Sequence, residues 1–275
     1  AVTAGQKGGR LTDFPALKKA GAAALSDDGH PVKSALMMRE AVQKARACGL
    51  AIISHCEEPT LAAGLAHDGD AARALKLSGI PASCESVMVA RDCALSLETG
   101  APVHIAHVSG RVSVEVIRLF KKLGAPVTCE TAPHYFSLTE DALLKIGADA
   151  KMNPPLKTEE DRVAVIEGLA DGTIDVIATD HAPHAAFEKA RGIAEAPNGI
   201  IGLETALPLC VTYLVKPGYL TLHDMLRKLT EAPDGVLGLP ERSIAPGMPA
   251  GLCLFDPGAR FTVLPERLHS KSRNT

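Results

Sequence analysis

The sequence predicts an α/β fold in which helices wrap a parallel sheet, and three observations point to it. The chain has 275 residues, which suits one large barrel of strands and helices or two small domains. Short apolar runs typical of buried parallel strands lie at about 22–26, 50–54, 102–106, 125–129 and 174–179. Amphipathic helical patterns separate these runs, at roughly 33–48, 85–99, 112–123 and 159–170. This alternation over short links indicates a parallel sheet covered by helices.

Each predicted strand runs into an acidic or histidine residue where its apolar stretch ends. A lone buried histidine is more often a satisfied core residue than a ligand, and Asp180 by itself could simply cap a helix. The recurrence is hard to explain as packing, because parallel barrels keep their chemistry at the carboxyl ends of their strands. We therefore expect four such side chains to converge at the barrel mouth. They are Asp28, His55, His107 and Asp180.

These residue types suit a divalent metal ion and hydrolysis. Histidine nitrogens and aspartate oxygens are ligands for zinc-like metals. A carboxylate can bridge two ions and so generate hydroxide near neutral pH, while a further carboxylate moves the proton. Two more polar residues have open interpretations. Asn153 could bind a polar ligand or form an ordinary turn, and His184 could bind an anion or cap local structure.

Composition argues against several classes of function. The net charge is −3 with no basic cluster, so we expect no nucleic-acid partner. No apolar stretch reaches membrane-spanning length, so we expect no membrane association. The seven cysteines form no close Cys-x-x-Cys pair, which indicates reduced thiols and a cytoplasmic location. Cys56 follows His55 on a strand and is interpreted as packing, since neighbours face opposite sides.

The late part of the chain changes character. A polar excursion at 185–198 follows the last site strand and is predicted to be a loop over the active site. A helix over 221–230 is predicted to end at Pro233. Turn residues and a predicted strand, Leu252–Phe255, follow. We therefore divide the chain into a barrel domain over 1–242 and part of a small β-sandwich-like domain over 243–275.

Several longer motifs carry a family resemblance. They include Ser26-Asp27-Asp28-Gly29, Ser54-His55-Cys56-Glu57-Glu58, His104-Ile105-Ala106-His107, Asn153-Pro154-Pro155, Thr179-Asp180-His181-Ala182-Pro183-His184 and the closing Ser270-Lys271-Ser272-Arg273-Asn274-Thr275. Together they resemble the class I, bacterial-type dihydroorotases of the amidohydrolase superfamily. The resemblance implies a TIM-type (β/α)8 barrel of the metal-dependent amidohydrolase kind, lacking its first strands, with the start of a small β unit.

The resemblance also implies an activity and roles for residues. The activity is the reversible cyclisation of N-carbamoyl-L-aspartate to L-dihydroorotate in de novo pyrimidine biosynthesis, by metal-activated hydroxide and an aspartate acid/base. The implied cofactor is one or two Zn²⁺ ions, and the implied partners are the small-molecule substrate, a second copy of the chain and aspartate carbamoyltransferase. The implied metal ligands are Asp28 as the bridge, His55, His107 and the acid/base Asp180. The implied substrate contacts are Asn153, His184, Asn198 and Gly199.

The chain departs from the family pattern at its beginning. The His-x-His pair of the family's first strand and the Asn-Thr segment of its second are absent, and Ala1-Val2-Thr3 resembles a point after the third strand. We therefore expect an N-terminally incomplete barrel with an incomplete second metal position. We expect the 275 residues alone to be inactive.

Two alternatives stay open at the level of sequence. One is another cyclic amidohydrolase, such as an allantoinase or hydantoinase, although these usually bridge their metals with a carboxylated lysine where this chain has Asp28. The other is a non-catalytic, dihydroorotase-like partner of aspartate carbamoyltransferase. The survival of His55, His107 and Asp180 favours an enzyme.

Overall fold

A computed structural model describes residues 1–240 and 243–275, and a parallel sheet lies at its centre. The strands of the described residues are β1 (Ala24–Ser26), β2 (Ala51–Ser54), β3 (Ala66–His67), β4 (Gly79–Ile80), β5 (Val103–Ile105), β6 (Val127–Thr131) and β7 (Val176–Ile177). Five of them form one sheet in the order β1-β2-β5-β6-β7, and every pairing is parallel. All five lie where the sequence predicted strands, so the predicted α/β fold with a parallel sheet is confirmed.

Helices connect the strands of this sheet. The helices of the described residues are α1 (Phe14–Lys19), α2 (Ala35–Ala47), α3 (Asp70–Leu75), α4 (Ser83–Thr99), α5 (Arg111–Lys122), α6 (Pro133–Ser137), α7 (Ala142–Ile146), α8 (Glu159–Ala170), α9 (Ala186–Lys189), α10 (Ala206–Cys210), α11 (Leu222–Leu229) and α12 (Glu231–Leu237). The four predicted helices correspond to α2, α4, α5 and α8. Each lies between two neighbouring strands of the sheet, which is the connection that parallel strands require. The structure is therefore a partial (β/α) barrel.

Local sequence signals explain where two of these connecting helices begin. The Ser34 hydroxyl accepts a hydrogen bond from the Met37 amide at the start of α2. Thr158 and Asp161 form a reciprocal capping box at the start of α8. Such caps stabilise a helix by about 1 kcal/mol each. They fix the points at which the chain leaves the strand layer and turns back along it.

The apolar core lies between the sheet and these helices. The central strands carry the most deeply buried side chains, with Ile52 and Val103 each 1% exposed and Ile105 fully buried. β1, β2 and β5 pair in register through Leu25, Ile52 and Val103. Because the pairs are parallel and in register, all five strands end at one edge of the sheet.

One local prediction was wrong, and one pair of strands was not predicted. Pro233 does not end the helix over 221–230, because α11 ends at Leu229 and Pro233 lies in the first turn of α12. Proline is tolerated there, since the amide it lacks would have no partner within the helix. The pair β3 and β4 was not predicted, because strands of two residues carry no periodicity.

The C-terminal residues differ from the expected β unit. The described residues 243–275 contain no strand, and the expected strand at 252–255 leaves Leu252 68% exposed and Leu254 99% exposed. A strand requires a partner for its backbone groups, and none lies beside this segment in the described part of the chain. The proposed domain boundary at 242/243 falls on residues 241–242, outside the described residues. The division into two domains stays a prediction.

The last eight residues pack on the barrel. Leu268, Ser272 and Asn274 are buried, and the amide of Ile201 donates to the Asn274 carbonyl at 2.9 Å. The Glu204 carboxylate accepts from the amides of His269 and Ser270. No helix in the described part of the chain is long and apolar enough to cross a membrane.

A buried ion pair joins three parts of the barrel. The Glu85 carboxylate on α4 lies 3.0 Å from the Lys157 ammonium, which precedes α8, and it accepts from the Ser109 amide at 3.1 Å. Both charged side chains are almost fully buried. Burial raises the pKa of Glu85, but Lys157 and the hydrogen bonds from Ser109 outweigh it and lower the pKa to about 2. The pair links α4 to the segment that follows β5.

Removing the ammonium of this pair should destabilise the fold strongly. Lys157→Met leaves Glu85 buried without its partner charge, and breaking a buried pair costs about 3–5 kcal/mol. The free energy of unfolding from urea denaturation measures the loss. As a control, Arg39→Met removes the exposed pair with Glu98 and should cost no more than about 1 kcal/mol. Equal losses in the two variants would contradict this account.

The same pair predicts a pH dependence of stability. The folded-state pKa of Glu85 lies below its ordinary value of 4.5, so the stabilisation is present above pH 4.5 and is lost as the pH falls towards about 2. The difference in unfolding free energy between the wild type and Lys157→Met should therefore narrow over that window. A constant difference from pH 6 to pH 3 would contradict the assignment.

Candidate metal centre

Three side chains from different strand ends converge on one point. They are Asp28, His55 and His107, whose possible ligand atoms all lie within 4.8 Å of one another. His55 Nδ1 lies 2.9 Å from His107 Nε2, and Asp28 Oδ1 lies 3.4 Å from that same nitrogen. Both imidazoles are buried, whereas the Asp28 side chain is 67% exposed. The structure thus brings together three of the four predicted ligands in a mixed nitrogen and oxygen set that could hold a metal ion.

The structure separates the roles of the two neighbouring aspartates. Asp27 is buried, and its carboxylate accepts from the amides of Val2 and Thr3 and from the Thr3 hydroxyl. Asp28 points instead to His55 and His107. Asp27 therefore anchors the chain beneath the site, while Asp28 keeps its carboxylate for the site.

A buried carboxylate holds Ser54, the residue before His55. Ser54, the last residue of β2, donates to the buried Asp92 carboxylate at 2.6 Å. Arg91 donates to the other oxygen of Asp92 and to the Val32 carbonyl. The Cys56 thiol lies 3.6 Å from Asp92, and burial raises its pKa well above the usual value. Cys56 packs in the core as the sequence predicted, and the end of β2 has little freedom to move.

Backbone conformation at the site is unusual at two positions. His107 has a φ of 38° and Asp180 a φ of 46°, both in the left-handed region that non-glycine residues rarely adopt. Such conformations persist where surrounding contacts impose them, and they cluster at functional sites. Each lies at the point where a strand gives way to a loop and turns its side chain towards the site.

The charges of the cluster stabilise one another. Hydrogen bonds from His107 and His55 lower the pKa of Asp28 far below its usual range. Burial alone would lower the pKa of His55, but Asp28 and Glu57 outweigh it and raise that pKa to about 9. Glu57 Oε2 lies 3.3 Å from His55 Nε2, on the side of the ring away from Asp28. A carboxylate in this position orients a metal-binding imidazole.

Asp180 lies beside the cluster rather than within it. Its Oδ2 is 3.8 Å from His134 Nε2. Burial raises the pKa of Asp180, and the charge of His107 acts against that shift. Burial also lowers the pKa of His134 to about 3, and its Nε2 has no hydrogen-bond partner among the described residues. A partly exposed carboxylate with a raised pKa is suited to exchanging protons.

The four predicted substrate contacts fall into two places. Asn153 lines the same pocket as Glu57 and so lies next to the cluster. His184 Nε2 lies 2.7 Å from the carbonyl oxygen of Asn198, in the loop that follows β7. Gly199 packs tightly there, since a Cβ atom would come within 2.5 Å of the Ala182 side chain. The Gly199 amide donates to the Lys151 carbonyl at 2.8 Å, so its contribution to a site is shape rather than a free donor.

Sequence reasoning missed three residues of the site. Glu57 orients His55, His134 faces Asp180, and Glu130 lies 3.2 Å from the buried His104 on the barrel side of β6. Glu57 stands in a motif that the sequence analysis quoted, but spacing gave no direction for its side chain. Glu130 lies near the end of β6, and strand alternation would have placed it on the same face as Thr128.

The chain is similar in sequence to known dihydroorotases. The family model described as "Dihydro-orotase-like" matches residues 1–113. The chain is 49% identical over 276 aligned positions to the dihydroorotase of Acetivibrio thermocellus and to that of Bacillus caldolyticus. Each alignment covers 100% of this chain and 65% of the relative. The chain therefore spans slightly less than two-thirds of the length of these curated relatives.

Solved structures with a similar fold include two hydantoinases. The D-hydantoinase of a Thermus species superposes with a TM-score of 0.74 at 25% identity, over 88% of this chain and 54% of that one. The L-hydantoinase of Arthrobacter aurescens gives a TM-score of 0.70 at 30% identity, over 82% of this chain and 53% of that one. Together with the identity to curated dihydroorotases along its whole length, these likenesses show that the chain belongs to the dihydroorotase-like family of the amidohydrolase superfamily.

Proposed function

We propose that this chain carries the metal centre and the acid/base of a dihydroorotase. The proposed reaction is the reversible cyclisation of N-carbamoyl-L-aspartate to L-dihydroorotate in pyrimidine biosynthesis. The observation that carries the proposal is the convergence of Asp28, His55 and His107 at the strand ends, with Asp180 beside them. The 49% identity to dihydroorotases along the whole chain supports this choice of reaction.

The residues present fit a divalent ion, proposed to be zinc, at one or two positions. Asp28, His55 and His107 would hold it, with Asp180 as a further ligand. Their mixed oxygen and nitrogen donors suit zinc, and Glu57 already orients the His55 ring. A bound ion supplies an acidified water and polarises the carbonyl under attack. The second position would need ligands beyond these residues.

Asp180 is the proposed carrier of the proton. In ring opening its carboxylate takes a proton from the attacking water and gives it to the departing amide nitrogen. In ring closure the same carboxyl group runs the two transfers in reverse. Burial raises the pKa of Asp180, which brings the acid closer to the pH at which it must both accept and donate.

Substrate binding is proposed to involve both groups of polar residues. The Asn153 amide lies next to Glu57, and the exposed Asn198 side chain lies with His184 in the loop after β7. N-carbamoyl-L-aspartate carries two carboxylates and a ureido group, so it requires donors at both ends. Gly199 is proposed to keep space for the ligand, because a side chain there would meet Ala182 and His184.

The location and the assembly of the protein are also proposed. All seven cysteines are free, which supports a cytoplasmic protein. A homodimer and an association with aspartate carbamoyltransferase are proposed from the family resemblance. Sedimentation of the full-length protein, alone and with that enzyme, measures both.

The two neighbouring aspartates should respond differently to substitution. In the full-length protein, Asp28→Asn should weaken binding of zinc at least about tenfold, and it should lower the unfolding midpoint of the metal-free protein less than Asp27→Asn does, because the Asp28 side chain is exposed. Asp27→Asn should lower the unfolding midpoint but keep the metal, since its carboxylate holds Val2 and Thr3. Competition with a chromogenic chelator measures affinity. The reverse pattern would assign the ligand role to Asp27.

Removing the proposed acid/base should stop turnover without unfolding the protein. Asp180→Asn keeps the shape of the side chain but cannot exchange the proton, and such losses reduce kcat by about 10²–10⁴-fold. Asp70→Asn, at a side chain that is 92% exposed, is the matched control and should retain the wild-type rate. Turnover of Asp180→Asn within about threefold of the wild type would remove Asp180 from the mechanism.

The choice of substrate is open to direct assay. The full-length protein should interconvert N-carbamoyl-L-aspartate and L-dihydroorotate, and it should act poorly on hydantoin and allantoin. Preferred opening of hydantoin would replace the proposed function with that of the structural neighbours. No turnover of any of the three by the metal-loaded protein would favour a non-catalytic partner.

A further inference from the structure

Two buried side chains from distant parts of the chain meet at one backbone oxygen. The carbonyl oxygen of Gly199 accepts a hydrogen bond from Lys189 Nζ at 2.9 Å and another from Asn274 Nδ2 at 3.0 Å. Lys189 is 7% exposed and Asn274 is 3% exposed. Asn274 lies 75 residues further along the chain than Gly199. Their meeting point lies in the loop that carries three of the proposed substrate contacts.

The Lys189 ammonium is used almost entirely on backbone carbonyls. Besides Gly199 it donates to Pro197 at 3.0 Å and reaches the carbonyl of Lys151 at 3.4 Å. Lysine is rarely buried without a paired carboxylate, and Asp149 acts on it only through its charge at longer range. The buried ammonium gathers three backbone carbonyls around it, and it therefore holds the loop much as a bound cation would.

Asn274 and its neighbour Ser272 hold the other side of the loop. Asn274 Nδ2 also donates to the carbonyl of Ala182 at 3.0 Å. The Ser272 hydroxyl donates to the His184 carbonyl at 2.6 Å and accepts from the His184 amide at 3.1 Å. The backbone of His184 is thus satisfied by residues 268–275 (the tail) rather than by a barrel strand.

These contacts determine where the proposed substrate groups lie. His184 Nε2 is 2.7 Å from the Asn198 carbonyl. The tail holds the His184 backbone, and Lys189 holds the carbonyls of Pro197 and Gly199 on either side of Asn198. We propose that Lys189, Ser272 and Asn274 form a loop clamp that positions His184, Asn198 and Gly199 for the substrate. The three are positioning residues, not catalytic ones. The inference rests on the proposed function for its substrate but not for the clamp itself.

The clamp predicts a specific kinetic effect. Loosening the loop should raise KM for N-carbamoyl-L-aspartate about tenfold or more, because contacts with the substrate lose their fixed geometry. The kcat value and the zinc content should stay within about threefold of the wild type, since Asp180 and the Asp28 cluster lie outside the clamp. A residue that only stabilised the fold would not separate KM from kcat in this way.

Asn274→Asp in the full-length protein is the sharpest variant. It preserves size and the acceptor oxygen but removes the two N–H donors that meet Ala182 and Gly199. Lys189→Met removes the ammonium with little change in volume. Lys271→Met is the matched control, because Lys271 is exposed and directly precedes Ser272, a tail residue of the clamp. If Lys189→Met does not fold, Asn274→Asp and the control still decide the question.

Hydrogen exchange without substrate tests the clamp independently of activity. Peptides that contain Gly199 and Ile201 should exchange at least tenfold faster in Asn274→Asp and Lys189→Met, while peptides of β5 and the Lys271→Met control stay at wild-type rates. Unchanged exchange near Gly199, or faster exchange with an unchanged KM, would overturn the proposal. If the wild type does not turn over N-carbamoyl-L-aspartate, the proposed function fails, while faster exchange in the variants would still support the clamp on the loop.

Discussion

The parallel register of five short strands is the constraint on which the rest of the structure depends. A parallel sheet brings the carboxyl ends of its strands to one edge, so residues far apart in sequence meet there. Asp28 and His107 are 79 positions apart, yet Asp28 Oδ1 and His107 Nε2 lie 3.4 Å apart. A slip of one residue in any of these strands would turn its site residue to the opposite face. The buried residues of β2 and β5 resist such a slip, because it would expose Ile52 and Ile105.

Buried polar contacts, in addition to apolar packing, hold the ends of the strands in place. Asp92 holds the end of β2, and the pair of Glu85 with Lys157 holds the segment after β5. Both carboxylates are buried and would be costly without their partners. Their value to the site is that Ser54 and Ser109, next to the two strand ends, have defined positions. The strained backbone of His107 is compatible with this arrangement, since its surroundings are rigid on both sides.

Much of the fold could be predicted from sequence, because strands and long amphipathic helices repeat one pattern over many residues. The convergence of Asp28, His55 and His107 was also predictable, since it follows from strand ends alone. Side-chain direction was not. The adjacent residues Asp27 and Asp28 do not indicate by themselves which carboxylate points to the metal site. The contacts of Asp27 with Val2 and Thr3 decide it. The strand expected at 252–255 was wrong for a different reason, because an apolar run forms a strand only where the edge of a neighbouring strand is available.

The contact between the tail and the loop has a consequence for the order in which these parts of the molecule are made during synthesis. The residues of the Asp28 cluster and Asp180 all precede Gly199, whereas Asn274 is translated 75 residues after it. At roughly 5–20 residues per second, that separation corresponds to about 4–15 s of translation. A nascent chain therefore has the strand ends that gather the cluster well before it has the tail that fixes the loop. The part of the protein that holds a metal and the part that shapes its surroundings are in this sense built at different times.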